Sequence, residues 1–302
     1  MFNAGQEIAL WGRAMTRGMR RLCTAGLAAL ALVFASPAFA HHNRQPRLRT
    51  LTDPRQDAEL VVDAATGRVL YARNDDAIRH PASLTKMMTL YLVFEKLREH
   101  KIALDTQIPV SAYAASQPRA HLKLKAGETM TLEDAIKAIV ICSANDVAVA
   151  VAEAVAGGEP QFAEMMNAKA REFGMSHTYY ENASGLPNES QVTTAGDLAI
   201  LAWHLIYDLP EYYPYFRTSS WAWEGRSYNT HDFLISNYPG TDGIKTGYID
   251  ESGYNIVTTV QRGGTRLIAV VMGGVTPGRR DKVMVGLLDQ AFAELQIPRP
   301  GD

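Results

Sequence analysis

Apolar positions along the chain predict strands near both ends and helices between them. Glu59-Leu60-Val61-Val62-Asp63 and Arg68-Val69-Leu70-Tyr71-Ala72 are strand-like runs, with Ala64-Ala65-Thr66-Gly67 as the hairpin turn that joins them. Pro81 precedes a helical stretch over residues 83–98, with Met87, Leu90, Tyr91 and Phe94 on one face. Residues 102–130 are mixed in character. Thr131-Leu132-Glu133-Asp134 is a capping-box-like start to a helix whose apolar stripe is Ile136, Ile139, Val140 and Ile141. An alanine-rich helix over 146–156 stops at Gly157-Gly158, and amphipathic helices follow over 162–173 and 194–207. The last third alternates. Residues 243–248, 254–261 and 266–272 read as successive antiparallel strands, and a closing helix runs over 281–295. This order predicts an α+β fold: one antiparallel sheet built from both chain ends, flanking helices, and an inserted helical region.

The N-terminus follows a different rule. Arg13, Arg17, Arg20 and Arg21 precede an uncharged apolar run from Leu22 to Ala35, and Ser36-Pro37-Ala38-Phe39-Ala40 ends in small residues. This pattern reads as a secretory signal peptide over 1–40, cleaved near Ala40, with a mature protein expected in the periplasm or cell envelope; the alternative is an uncleaved membrane anchor. The apolar run falls short of the ~20 residues that cross a bilayer. Residues 41–57, rich in Arg, Pro and Gln, read as a flexible leader, 58–297 as the folded domain and 298–302 as a tail. Cleavage leaves Cys142 as the single cysteine, so no internal disulfide is expected. His41-His42, at the new terminus, reads as solvated and not as a metal site. The formal net charge of −2 over 302 residues lacks the basic excess of a nucleic-acid binder.

Three short motifs carry candidate chemistry. Ser83-Leu84-Thr85-Lys86 places a hydroxyl and an amine three residues apart at a helix start, hence on one face. The helix end favours an alkoxide there, and Lys86 becomes a general base if burial or another cation keeps it neutral. Ser143-Ala144-Asn145 lies between two apolar helices, where a serine can relay a proton and an amide can hold a peptide bond. Ser227-Tyr228-Asn229 has the same pattern but lies in an expected hairpin. Lys245-Thr246-Gly247 sits in a strand, where glycine marks close approach of another backbone and the cation offers an anion-binding edge for an extended peptide. The first two motifs are weak alone, and the third is less easily met by chance. Their order and local settings together are the signature of penicillin-binding proteins and class A β-lactamases.

The chain resembles the low-molecular-mass penicillin-binding proteins, the serine-type D-Ala-D-Ala carboxypeptidases. The resemblance extends to 63–71, 81–89, Asn182-Ala183-Ser184-Gly185-Leu186, 193–198, 242–248 and 266–274. It implies a β-lactamase/transpeptidase-like fold and a hydrolase acting on peptidoglycan stem peptides, blocked by β-lactams, with no metal or organic cofactor. It further implies that Ser83 attacks, Lys86 takes its proton and Ser143 relays a proton to the leaving amine. Lys245 would support that relay, and Asn145 would orient the peptide. The backbone N–H groups of Ser83 and Tyr248, beside Gly247, would hold the oxyanion. Thr246 and Arg280, with Arg279 as competitor, would bind the terminal carboxylate. The resemblance leaves a D,D-endopeptidase, a β-lactamase and a non-catalytic wall-binding protein as alternatives. His231 stands where the family often carries Asn. The closing helix is followed only by a short tail, so neither a β-rich second domain nor a C-terminal membrane anchor is expected.

Overall fold

The computed structural model describes residues 55–299, so the expected signal peptide and most of the leader and tail lie outside the described residues. Five strands form the main sheet: β1 (Ala58–Asp63), β2 (Val69–Arg73), β7 (Thr241–Ile249), β8 (Gly253–Arg262) and β9 (Thr265–Gly274). Their order is β2-β1-β9-β8-β7, every neighbouring pair antiparallel, so the N-terminal hairpin lies beside the C-terminal meander as the sequence predicts. Leu267 to Gly274 of β9 is buried at every position, so both faces of the sheet are covered there. Helices α5 (Ala195–Tyr207) and α6 (Pro277–Glu294) pack against this strand. Asp242 and Arg266 form an ion pair (2.7 Å) that ties β7 to β9 across β8.

The inserted region is helical. Helix α1 (Lys86–Arg98) is buried continuously from Lys86 to Phe94, and so is the centre of the helical layer as well as its edge. Around it lie α2 (Leu132–Lys137), α3 (Asn145–Ala156) and α4 (Glu159–Glu172). Thr131 caps α2 by accepting from the Asp134 amide (3.1 Å). Its hydroxyl also donates to the Asp134 carboxylate (2.8 Å), so the cap closes on that side chain instead of through the reciprocal backbone bond of a full capping box. The mixed stretch forms a small ribbon of β3 (Gln107–Pro109) and β4 (Thr129–Thr131), with a helical turn, Ala112–Ala115, and then a strap over residues 116–127 between them. Strands β5 (Ser220–Trp223) and β6 (Arg226–Asn229) form the expected hairpin. It contains Ser227-Tyr228-Asn229, and Tyr228 stacks on Trp221 (5.5 Å).

Two elements differ from the sequence expectation. Helix α6 starts at Pro277, not Asp281, because Thr276 accepts from the Arg279 amide (3.2 Å) and proline fits the first turn. After α2 the helix widens into a π-turn, Ala138–Cys142, and stops at Ser143, whose φ of 56° is left-handed. Asp57, assigned to the leader, is fully buried with Arg73 against its carboxylate.

Candidate active site

The three motifs meet where the helical layer joins the edge of the sheet. Ser83 lies in a 3-10 turn, Ala82–Thr85, that leads directly into α1. Its neighbours on both sides are buried while Ser83 keeps partial access to solvent. Ala82 has φ 49°, an uncommon value for a residue with a Cβ, so the backbone is held in a strained form just before the nucleophile candidate. Two glycines make room for this turn. A Cβ on Gly247 would lie 2.9 Å from the Ser83 nitrogen, and one on Gly185 would lie 1.9 Å from the Ala82 carbonyl oxygen. The glycine of Lys245-Thr246-Gly247 is therefore what lets β7 approach the Ser83 amide. Among the described residues β7 is the last strand of its sheet, so its outer edge has no strand partner there.

Lys86 is fully buried and its amine meets three oxygens. Asn145 Oδ1 accepts at 2.6 Å, the Ser184 carbonyl also accepts, and Ser83 Oγ lies at 3.2 Å. A neutral amine has two N–H donors and one lone pair. With both donors used by the two carbonyl oxygens, the lone pair is left for the Ser83 hydroxyl. Burial and the cation of Lys245 push the Lys86 amine well below the ordinary lysine range, with Asp146 and Glu159 opposing them. Asn145 is itself fixed by donating from Nδ2 to the Pro118 carbonyl (2.9 Å), which leaves Oδ1 to face Lys86. Ser143 is buried, and its hydroxyl has no hydrogen-bond partner among the described residues. A buried orphan hydroxyl is costly unless a ligand satisfies it.

Lys245 and Thr246 are buried on β7, and the Lys245 amine donates to the Thr246 carbonyl (3.0 Å). Burial drives the Lys245 amine down to about 8; Asp232 and Cys142 pull it up, and Arg280 pushes it down. Arg280 is buried at the start of α6, bound to Asp281 (2.6 Å) and to the Asn255 carbonyl (3.3 Å), whereas Arg279 is exposed. Of the two arginines, Arg280 is thus the one whose charge is felt by Lys245 and His231. Partial burial first, then these two cations, push His231 below the ordinary histidine range. Tyr248 follows at the exposed end of β7, its ring stacked on Tyr254 (4.2 Å).

Sequence reasoning missed two contributors. Ser184, quoted only as part of a resemblance, supplies the carbonyl that holds Lys86. Asp232 is buried, and burial pushes its carboxyl up to about 6, against the Leu234 amide and the cations Arg280 and Lys245. No motif marks Asp232; only its place after His231 could have drawn attention to it. Among the described residues no cluster of His, Cys, Asp or Glu could hold a metal ion.

Comparison with known proteins identifies the family. The sequence model of the peptidase S11 family, described as D-alanyl-D-alanine carboxypeptidase, matches residues 46–276. The D-alanyl-D-alanine carboxypeptidase DacF of Bacillus subtilis is 37% identical over 285 residues, covering 92% of this chain and 72% of its own length. Penicillin-binding protein 5 of Haemophilus influenzae superposes with a TM-score of 0.76 at 32% identity, over 78% of this chain and 70% of that one. Penicillin-binding protein D2 of Listeria monocytogenes, in its ampicillin-bound form, gives 0.69 at 31% identity, over 78% and 96%. The fold and site define a serine-type hydrolase of the penicillin-binding class. The chain belongs to the D-alanyl-D-alanine carboxypeptidase family.

Proposed function

We propose that this chain removes the terminal D-alanine from peptidoglycan stem peptides ending in D-Ala-D-Ala, through an acyl-enzyme on Ser83. The observation that carries this reading is the Lys86 amine, held by two carbonyl oxygens with its third direction on Ser83 Oγ. Ser83 Oγ attacks the carbonyl carbon between the two D-alanines, and Lys86 takes the hydroxyl proton. The backbone N–H groups of Ser83 and Tyr248 stabilise the resulting oxyanion, at about 3–4 kcal/mol per donor in comparable sites. Ser143 passes a proton to the departing amine, supported by Lys245, and the C–N bond breaks to leave an ester on Ser83. Water then adds to the ester, releasing the shortened peptide and restoring the serine. Asn145 orients the peptide along β7, while Thr246 and Arg280 face the terminal carboxylate. Arg280 would have to share its guanidinium between that carboxylate and Asp281, its present partner.

A β-lactam resembles D-Ala-D-Ala and would acylate Ser83 in the same way. The chemistry belongs to residues 58–297, and the N-terminal segment supports export with cleavage near Ala40. Among the described residues no helix is long and apolar enough to cross a membrane. The endopeptidase reading has less support, since the matching family and the DacF relative are carboxypeptidases. The test is D-alanine release from a pentapeptide ending in D-Ala-D-Ala. Release by the protein and none by Ser83→Ala is expected. Covalent penicillin binding without release would overturn the carboxypeptidase assignment in favour of cross-linked substrates.

A further inference from the structure

The strap over residues 116–127 carries charge that the proposed chemistry does not use. Arg119, His121 and Lys123 alternate along it with Ala120, Leu122 and Leu124, and the span contains no Asp or Glu. Leu122 and Leu124 are buried, while Arg119, His121 and Lys123, and Lys125 after them, are exposed. Alternation alone would describe any strap with one face down. What fixes this one is a buried carboxylate: Asp146, fully buried at the start of α3, accepts from the amides of Leu122 and Leu124 (3.3 Å each). Asn145 holds the next stretch, donating from its amide to the Ala120 carbonyl (2.6 Å) and from Nδ2 to the Pro118 carbonyl. The residues that shape the Ser143-Ala144-Asn145 loop therefore also set the height and direction of the strap.

One further feature separates two of these cations from ordinary surface lysines. Arg119 (φ 55°) and Lys123 (φ 64°) both sit in the left-handed region, where a side chain is disfavoured and asparagine or glycine is usual. Arg119, His121 and Lys123 make no ion pair among the described residues. The Arg119 charge is also felt at β7: the bond from Tyr248 to Asp250 raises the Tyr248 phenol, and Arg119 opposes that rise. Arg119 lies between Pro118 and Ala120, whose carbonyls Asn145 holds, and so stands beside the cleft that Tyr248 borders from the strand. A peptide lying along the open edge of β7 would leave the site beside Arg119.

We propose that Arg119, His121 and Lys123 form an anion-binding rim that engages carboxylate groups of the substrate peptide upstream of the D-Ala-D-Ala end. The inference rests on the carboxypeptidase reading for the identity of the peptide, and adds a preference for acidic over neutral stems. The rim acts through charge, so its effect is on encounter and affinity and weakens with salt.

The test uses two peptides that share a D-Ala-D-Ala end and differ upstream, one with free carboxylates and one with the same groups as primary amides. The protein, Arg119→Ala/Lys123→Ala and Arg119→Glu/Lys123→Glu are compared for kcat/KM of D-alanine release at low and at moderate salt. The unmodified protein is expected to favour the acidic peptide about tenfold at low salt, the low end of the range for electrostatic steering. The alanine pair should remove that preference through KM, with release from the amide peptide changing less than about twofold, and the glutamate pair should invert it. A ratio unchanged in both variants overturns the rim. An equal fall on both peptides also overturns it, since the strap would then only be supporting Asn145. Binding of both peptides to Ser83→Ala protein by calorimetry reads the same contrast without turnover. If the unmodified protein releases D-alanine from neither peptide, the activity assignment fails, and equal binding of both peptides is what would then sink the rim.

Discussion

Two lysines in one cleft are held by burial on opposite sides of their working states. Lys86 is pushed well down, which keeps its lone pair available to Ser83, while Lys245 is pushed only to about 8 and so retains its charge below that pH. The signs follow directly. Acidification protonates Lys86, fills its lone pair and removes the base, so the rate falls on the acid side. Alkalinisation through about 8 neutralises Lys245 and removes the cation beside the carboxylate-binding edge, so the rate falls on the alkaline side. The second-order rate of Ser83 acylation by a β-lactam, measured across this range, should therefore be bell-shaped. In Lys245→Arg the guanidinium stays charged throughout. The alkaline limb should vanish or move up by more than about one unit, with the acid limb in place. If the limb near 8 persists in that variant, Lys245 is not its source.

At the scale of elements, helix α1 has to keep Ser83 and Lys86 in register with β7, and its far end is anchored by aromatic packing. Phe94 is fully buried, stacked on Tyr212 (5.3 Å) and Tyr215 (6.0 Å) and edge-on to Phe216 (5.9 Å). Phe94→Ala should lower stability by about 3–5 kcal/mol, the usual loss for a buried phenylalanine. Urea unfolding would show this, and a loss below about 1 kcal/mol would mean the cluster closes over the gap. Phe94 was legible in the sequence because it completes a 3.6-residue stripe with Met87, Leu90 and Tyr91. The sheet was legible for a similar reason: β1, β2, β8 and β9 are runs of branched residues bounded by turns. The π-turn at Ala138–Cys142 was not, because its residues suit an α-helix equally well and only tertiary packing widens the turn. The early start of α6 was signalled by Thr276-Pro277, a cap and first-turn pair that the apolar stripe alone does not reveal. The contact of Gly185 with Ala82 crosses more than a hundred residues, so a local pattern shows that the glycine is there and not what it clears.

For the molecule as a whole, the site has no single owner. Ser83 and Lys86 come from the helical layer, Ser143 and Asn145 from a loop within it, and Lys245 from the sheet, which is itself closed by pairing β1 with β9 across most of the chain. A site assembled from both layers survives only if they unfold together, and the fold supplies reporters in each. Trp203 donates from Nε1 to the Ala64 carbonyl (3.1 Å) beside the sheet. Trp221 and Trp223 stack in the β5–β6 hairpin (5.8 Å), where Trp221 also donates to Asp134 of α2 (3.2 Å). Protein carrying Trp203→Phe and protein carrying Trp221→Phe/Trp223→Phe therefore report on different layers. Thermal unfolding of the two, corrected for each substitution's own effect through circular dichroism of the same sample, should give fluorescence and far-UV transitions that coincide. Acylation of Ser83 by a β-lactam should raise both midpoints by the same amount, because a group bound only to the native state stabilises every part that unfolds with the site. If the hairpin reporter shifts and the sheet reporter does not, the two layers unfold independently and the β7 edge is a docking face for the acyl group instead of part of one cooperative unit.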